Sequence, residues 1–364
     1  MRSFAKAVIA VSMLALALVS CKGKTENIKE PNTITTALGA DAKRLIPMLA
    51  TDTASADVSG WIFNGLVKYD KDIKLTGDLA ENWEVSPDGL VITFHLRKNV
   101  KWQDGVPFTS ADVLFTYEKV KDPTVATPYS ENYGPVSKVE APDDYTVKVT
   151  YSEPFAPAVE SWAMGVIPKH LLEGKDVNKD EFNRHPIGTG PYKFDEWISG
   201  SRIVLKANDT YFEGRPHIDK FVARILPDEA TEFLELKTRG IDYMGLTPLQ
   251  YSRQSDTKDI KEHFNKLRYP AFNYTYLGWN LKDERFKDNR VRQALTYAID
   301  QNSIIQGVLL GLGQPCTGPF PPESWAYNPA VKPYPYDPEK AKKMLAEAGW
   351  KDVDGDGVLE KDGE

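Results

Sequence analysis

Two cysteines in 364 residues, Cys21 and Cys316, cannot build a disulfide framework. The five histidines, His95, His170, His185, His217 and His263, never stand at the spacing of a helical metal site such as HExxH. There is no GxSxG elbow, and Gly188-Thr189-Gly190-Pro191 lacks the lysine that ends a phosphate-binding glycine loop. No stretch approaches the roughly 18 continuous apolar residues of a membrane-spanning helix. Positive charge is in deficit. Lys and Arg number 45 against 52 acids, giving a net charge of −7 and a pI near 5.5. An acidic surface repels phosphate backbones, which sets nucleic acid aside as a partner. A pair of catalytic carboxylates is the one enzyme arrangement that so many acids could hide.

What remains is an ordinary globular composition, with 41% hydrophobic, 27% charged and 11% aromatic residues. At about 100–200 residues per domain, the length predicts two to three domains.

The N-terminus carries its own instruction. Arg2 and Lys6 precede an apolar run from Ala7 to Val19, and Leu18-Val19-Ser20 leads directly into Cys21. Basic, apolar and small-residue regions in that order form an export signal. The segment resembles a bacterial lipoprotein signal peptide, which implies cleavage after residue 20 and lipidation of Cys21. Several acyl chains on one residue anchor a protein stably where one chain does not. Residues 21–30 then read as a polar tether. Cys316, in a proline- and glycine-rich loop without basic neighbours, reads as a free, unreactive thiol.

Alternating apolar residues predict strands over 33–38, 62–69, 90–96, 145–151, 191–197, 202–207, 220–226 and 273–280. Helices are predicted from Thr109 or Ser110 to Val120, from Asp228 to Lys237, from Asp288 to Ile299 and from Asp337 to Ala348. The last opens with Asp as cap and Pro338 at the first helical position. Strands and helices alternate, so the class is α/β or mixed α+β.

Several ordered motifs share no chemistry but form a pattern: Asp78 to Gly89 (DLAENWEVSPDG), Thr93 to Gly105 (TFHLRKNVKWQDG), Phe108 to Val113, Pro186 to Tyr192, Leu277 to Asn280, and Asp288 to Asp300 (DNRVRQALTYAID). In this the chain resembles extracellular solute-binding proteins of family 5, the peptide-, dipeptide- and nickel-binding lipoproteins of ABC importers. The resemblance implies a type II periplasmic-binding-protein-like α/β fold: lobe I from 31–65 and 185–268, an inserted domain over 66–184, and lobe II over 269–364. Family members are longer, so lobe II is expected to be incomplete and to leave apolar surface uncovered. The implied function is capture of a peptide between two lobes for a membrane permease, by a monomer that makes and breaks no bond.

Within that resemblance, Asp52, Thr53 and Ala54 fall in a loop that lines the family's cleft. Tyr274, Tyr276 and Trp279 lie at the crossing into lobe II and are candidates for an aromatic wall, with ordinary packing as the alternative. Eight tryptophans keep an oligosaccharide ligand open. A lipid-anchored hydrolase is the third reading. Asp352, Asp354 and Asp356 stand at loop positions 1, 3 and 5 of an EF-hand-like pattern, but Gly363 occupies the position of the required Glu. That favours a solvated acidic turn, with no cofactor, over a calcium site.

Overall fold

The computed structural model describes residues 31–269, 273–322, 324 and 326–361. Cys21 lies outside them. Among the described residues ten strands follow in order: β1 (Thr33–Leu38), β2 (Val67–Tyr69), β3 (Leu75–Gly77), β4 (Ala80–Val85), β5 (Val91–Leu96), β6 (Val136–Asp143), β7 (Thr146–Tyr151), β8 (Tyr192–Ile198), β9 (Arg202–Ala207) and β10 (Lys220–Ile225). The longer helices are α1 (Thr53–Ile62), α2 (Ser110–Lys121), α3 (Glu229–Lys237), α4 (Asn289–Tyr297), α5 (Gln301–Gly307) and α6 (Pro338–Glu347). The chain divides into two compact units, one ending at Met244 and one beginning at Gly245.

The first unit holds two four-stranded sheets. One has the order β1-β10-β9-β8, with β1 parallel to β10 and the other pairs antiparallel. The other is antiparallel throughout, in the order β4-β5-β7-β6, and β2 and β3 form a small ribbon. In β5, Ile92, Phe94 and Leu96 are buried while Val91, Thr93 and His95 are half-buried, the alternation expected of a pleated strand. One apolar core runs through the unit and includes Ile46, Met48, Ile62, Leu66, Phe94, Trp102, Phe108 and Ile167.

Polar residues fix the helix starts. Asp52 caps α1, accepting from Ser55 N at 2.9 Å and Ser55 Oγ at 2.8 Å. Thr109 and Asp112 form a capping box on α2. Asp112 is buried, and it also accepts from Lys169 N at 2.9 Å and Trp102 Nε1 at 3.3 Å.

In the second unit, α4 and α6 pack together through Val291, Ala294 and Ala341. Asp337 N donates to Tyr297 O at 2.8 Å, and Arg290 reaches Glu347 O at 3.1 Å.

Three expectations change. Residues 51–54 are not a loop, because Asp52 caps α1 and Thr53 and Ala54 form its first turn. The strand predicted over 62–69 is only Val67–Tyr69, since α1 continues to Ile62. Residues 273–280 form no strand. A strand exists only as part of a ladder, and among the described residues no backbone group pairs with Tyr274–Trp279.

Candidate functional site

A cavity of the first unit is lined in part by α1. Ala56 and Gly60, one helical turn apart, line it with Ser59 and Phe63. Phe155, Pro157, Glu160 and Met164 also line it, together with Trp61, Lys68, Tyr69, Tyr211, Tyr129 and Asn132. The cavity measures about 840 Å³ and is open to solvent.

Two close backbone approaches hold α1 in place. A β-carbon on Gly188 would stand 1.8 Å from Ile62 O, and one on Gly65 would stand 2.3 Å from Ala163 O, so no side chain fits at either position. Gly190 N donates to Ile62 O at 2.8 Å. Gln103 ties this turn to the second sheet's unit of strand and turn. Its Oε1 accepts from Gly188 N at 3.0 Å, and its Nε2 donates to Gly190 O at 3.2 Å and Tyr192 O at 2.8 Å.

A buried polar cluster contributes Asn64 and Asp78 to the lining. Asn64 Nδ2 donates to both carboxylate oxygens of Asp78, at 3.1 and 3.0 Å, while its Oδ1 accepts from Thr189 Oγ1 at 3.0 Å. Lys68 Nζ lies 3.3 Å from Asp78 and 2.6 Å from Glu213. Burial raises the pKa of Asp78, and Lys68 and Asn64 oppose that rise. Tyr69 is pushed up to about 12, by desolvation first and then by its hydrogen bond and repulsion with Glu160. Tyr129 donates its hydroxyl proton to Ala50 O at 3.2 Å.

None of the expected site residues is among those lining this cavity. Ala50 and Ala56 line it, whereas Asp52, Thr53 and Ala54 between them serve the start of the helix. In the second unit, Tyr274 and Tyr276 are exposed with ring centroids 5.7 Å apart, and Trp279 packs on Phe286 at 5.2 Å. Asp352, Asp354 and Asp356 converge with Glu360, their oxygens all within 4.8 Å of one another. Asp352 accepts from Gly355 N and Gly357 N, Asp356 from Val358 N, and Glu360 from Val353 N, so these carboxylates brace their own turn. The Glu360 contribution was not read from the loop spacing. Cys316 is a free, exposed thiol. Trp61, Asn64, Tyr129 and Glu160 carried no spacing signal, whereas Asp78 belongs to the first family motif.

Comparison with known proteins decides the family. The model of the bacterial extracellular solute-binding proteins, family 5, matches residues 74–362. The chain belongs to that family. Its relatives include the oligopeptide-binding protein AppA of Bacillus subtilis, 38% identical over 87% of this chain and 59% of AppA. The dipeptide-binding protein of Escherichia coli is 34% identical over 83% of this chain and 61% of that protein. The chain thus spans about three fifths of the length of these relatives. Among solved structures, AppA in complex with a nonapeptide superposes with a TM-score of 0.81 at 35% identity, covering 91% of this chain and 67% of AppA. NikZ of Campylobacter jejuni in complex with Ni(L-His) gives 0.85 at 33% identity, over 92% of this chain and 66% of NikZ. The family-5 chain therefore has the type II periplasmic-binding-protein-like α/β fold. The family is described as extracellular, and no helix among the described residues is long and apolar enough to cross a membrane.

Proposed function

We propose that this family-5 chain is the solute-binding component of an ABC importer, holding oligo- or dipeptides and passing them unchanged to permease subunits. The single observation that carries this is its likeness, in sequence and in fold, to AppA, whose solved complex contains a nonapeptide. The first unit supplies a cavity of about 840 Å³, within the size range of ligand sites. Isothermal titration with peptides of two to nine residues tests the reading. Saturable heat is expected, and no heat from any peptide overturns it. The likeness to NikZ supports a second reading, in which the solute is a small chelate such as nickel-histidine. Mass spectrometry of whatever co-purifies with the protein separates the two.

Lobe I over 31–65 and 185–268, an insertion over 66–184 and lobe II from 269 make up the organisation we propose. The first sheet draws all its strands from 33–38 and 192–225, and the antiparallel sheet draws its own from 80–151, which supports that division. Lipidation at Cys21 completes the proposal, with a monomeric body tethered outside the cytoplasm by residues 21–30. Fractionation tests the anchor: Cys21→Ala is expected to move the protein from the membrane fraction to the soluble one.

A further inference from the structure

Asn64-Gly65 is the one Asn-Gly pair in the sequence. In a free chain this pair is chemically unstable. Glycine leaves its backbone nitrogen unshielded, and that nitrogen can attack the carbonyl carbon of the asparagine side chain. Asparagine counts among the thermally labile residues for this reason. The fold nevertheless demands both residues. A β-carbon on Gly65 would stand 2.3 Å from Ala163 O, so only glycine fits. Asn64 is buried and must both donate and accept: its Nδ2 donates to Asp78 at 3.1 and 3.0 Å, and its Oδ1 accepts from Thr189 Oγ1 at 3.0 Å. An ionised aspartate at 64 could accept but not donate.

Ring closure requires the Asn64 side chain to turn onto the Gly65 nitrogen, and its contacts oppose that turn. The amide would have to leave Asp78 and Thr189 together. The backbone is pinned as well: Asn64 O accepts from Val166 N at 2.9 Å, Gly65 O accepts from Leu79 N at 3.0 Å, and Leu66 N donates to Trp162 O at 2.8 Å. The pair therefore rearranges only when the joint between these segments opens.

We propose that Asn64-Gly65 is a deamidation site gated by the fold: shut while this joint is closed, reactive whenever it opens, and unable to close the joint once it has reacted. The Gly65 nitrogen gives its proton to solvent and bonds to Asn64 Cγ, the Cγ–Nδ2 bond breaks, and Nδ2 takes up a proton and leaves as ammonia. Water then opens the resulting succinimide at either carbonyl. One product is aspartate; the other is isoaspartate, with the main chain lengthened by one carbon. Aspartate at 64 sets a second carboxylate against buried Asp78, whose cation Lys68 is already shared with Glu213. Isoaspartate shifts the backbone at Gly65, where there is no room even for a β-carbon.

The test is incubation of the full chain at mildly alkaline pH, in native buffer and in urea, with mass mapping of the peptide that contains Asn64. Conversion in urea is expected to be about tenfold or more faster, because in buffer only the open fraction reacts. Thr189→Val, shown to be folded by thermal melting, lacks one bond that holds the amide and is expected to convert several-fold faster than the parent in buffer and at the same rate in urea. Equal parent rates in buffer and urea overturn the gate, and no conversion in urea overturns the site. Once urea is removed, converted chains are expected to collect in the fraction that fails to refold, and Asn64→Asp is expected to melt below the parent. If Asn64→Asp does not fold at all, the partition of the aged parent decides alone. Converted chains that refold as readily as unconverted ones overturn the irreversibility.

Discussion

The carbonyl oxygen of Ile62 lies 1.8 Å from where a β-carbon on Gly188 would stand. The oxygen is backbone and the β-carbon position is fixed by backbone, so no rotamer change relieves the clash. Gly188→Ala is therefore expected to push the Gly188–Pro191 turn off the end of α1 and destabilise the first unit by at least the roughly 1–3 kcal/mol of an overpacked core. Urea unfolding measures it, and an unchanged midpoint would refute the packing argument.

Gly60 is the opposite case. It lies inside α1 with open space where its side chain would be. Replacing it by alanine removes backbone freedom from the unfolded chain, and a gain of about 0.5–1 kcal/mol is expected. A melting temperature at or below that of the parent would contradict this.

Gln103 is a strap between distant stretches. Gln103→Leu would leave the Gly188 amide and the Tyr192 carbonyl without their side-chain partner, while Gly190 O keeps Asn208 Nδ2 at 3.0 Å. The expected loss is about 1–3 kcal/mol. Faster hydrogen exchange confined at first to Gly188 distinguishes this from general loosening.

Asp78 predicts a dependence on pH. Its folded pKa is raised above the ordinary carboxylate value of 3.8, chiefly by burial. The folded state therefore favours the protonated acid, and the contribution to stability is greatest below about 3.8 and declines as pH rises through the folded pKa. Asp78→Asn has no such titration. Parent minus variant stability, from urea unfolding between pH 4 and pH 7, is expected to fall as pH rises; a flat difference sinks the assignment. Asp283 and Asp288 behave in the opposite sense. Hydrogen bonds from Arg285 and Arg290 hold them down to about 2, so their contribution is lost as pH falls toward that value.

The segment Tyr274–Trp279 provides a fifth expectation. Among the described residues its amides have no acceptor, so they should exchange at close to the free-chain rate while those of β5 are protected. Protection of 274–279 comparable with β5 would mean that the segment is paired.

That segment also marks where sequence reasoning stopped. Its aromatic and β-branched alternation has the composition of a strand, but pairing depends on partners, and periodicity carries no information about them. The β9 bounds coincided with the predicted 202–207, because Ile203, Val204 and Leu205 form a buried β-branched and aliphatic run between exposed Arg202 and Lys206. By contrast α1 was missed: Ser55 and Ser59 are buried through hydrogen bonds, so its inner face does not look apolar. Edge strand β4 buries only Ala80, which leaves almost no hydrophobic signal. The cavity was harder still. Its walls come from stretches near 60, 130, 160 and 211, and proximity of that kind exists only after the sheets have formed.

The parallel pairing of β1 with β10 sets an order of events during synthesis. Thr33 meets Lys220, so the opening strand has no ladder until nearly two hundred later residues have left the ribosome. Throughout that interval β1 remains an unpaired ribbon, accessible to any factor that grips nascent polypeptides, and long-range closure rather than local helix formation governs when it escapes them.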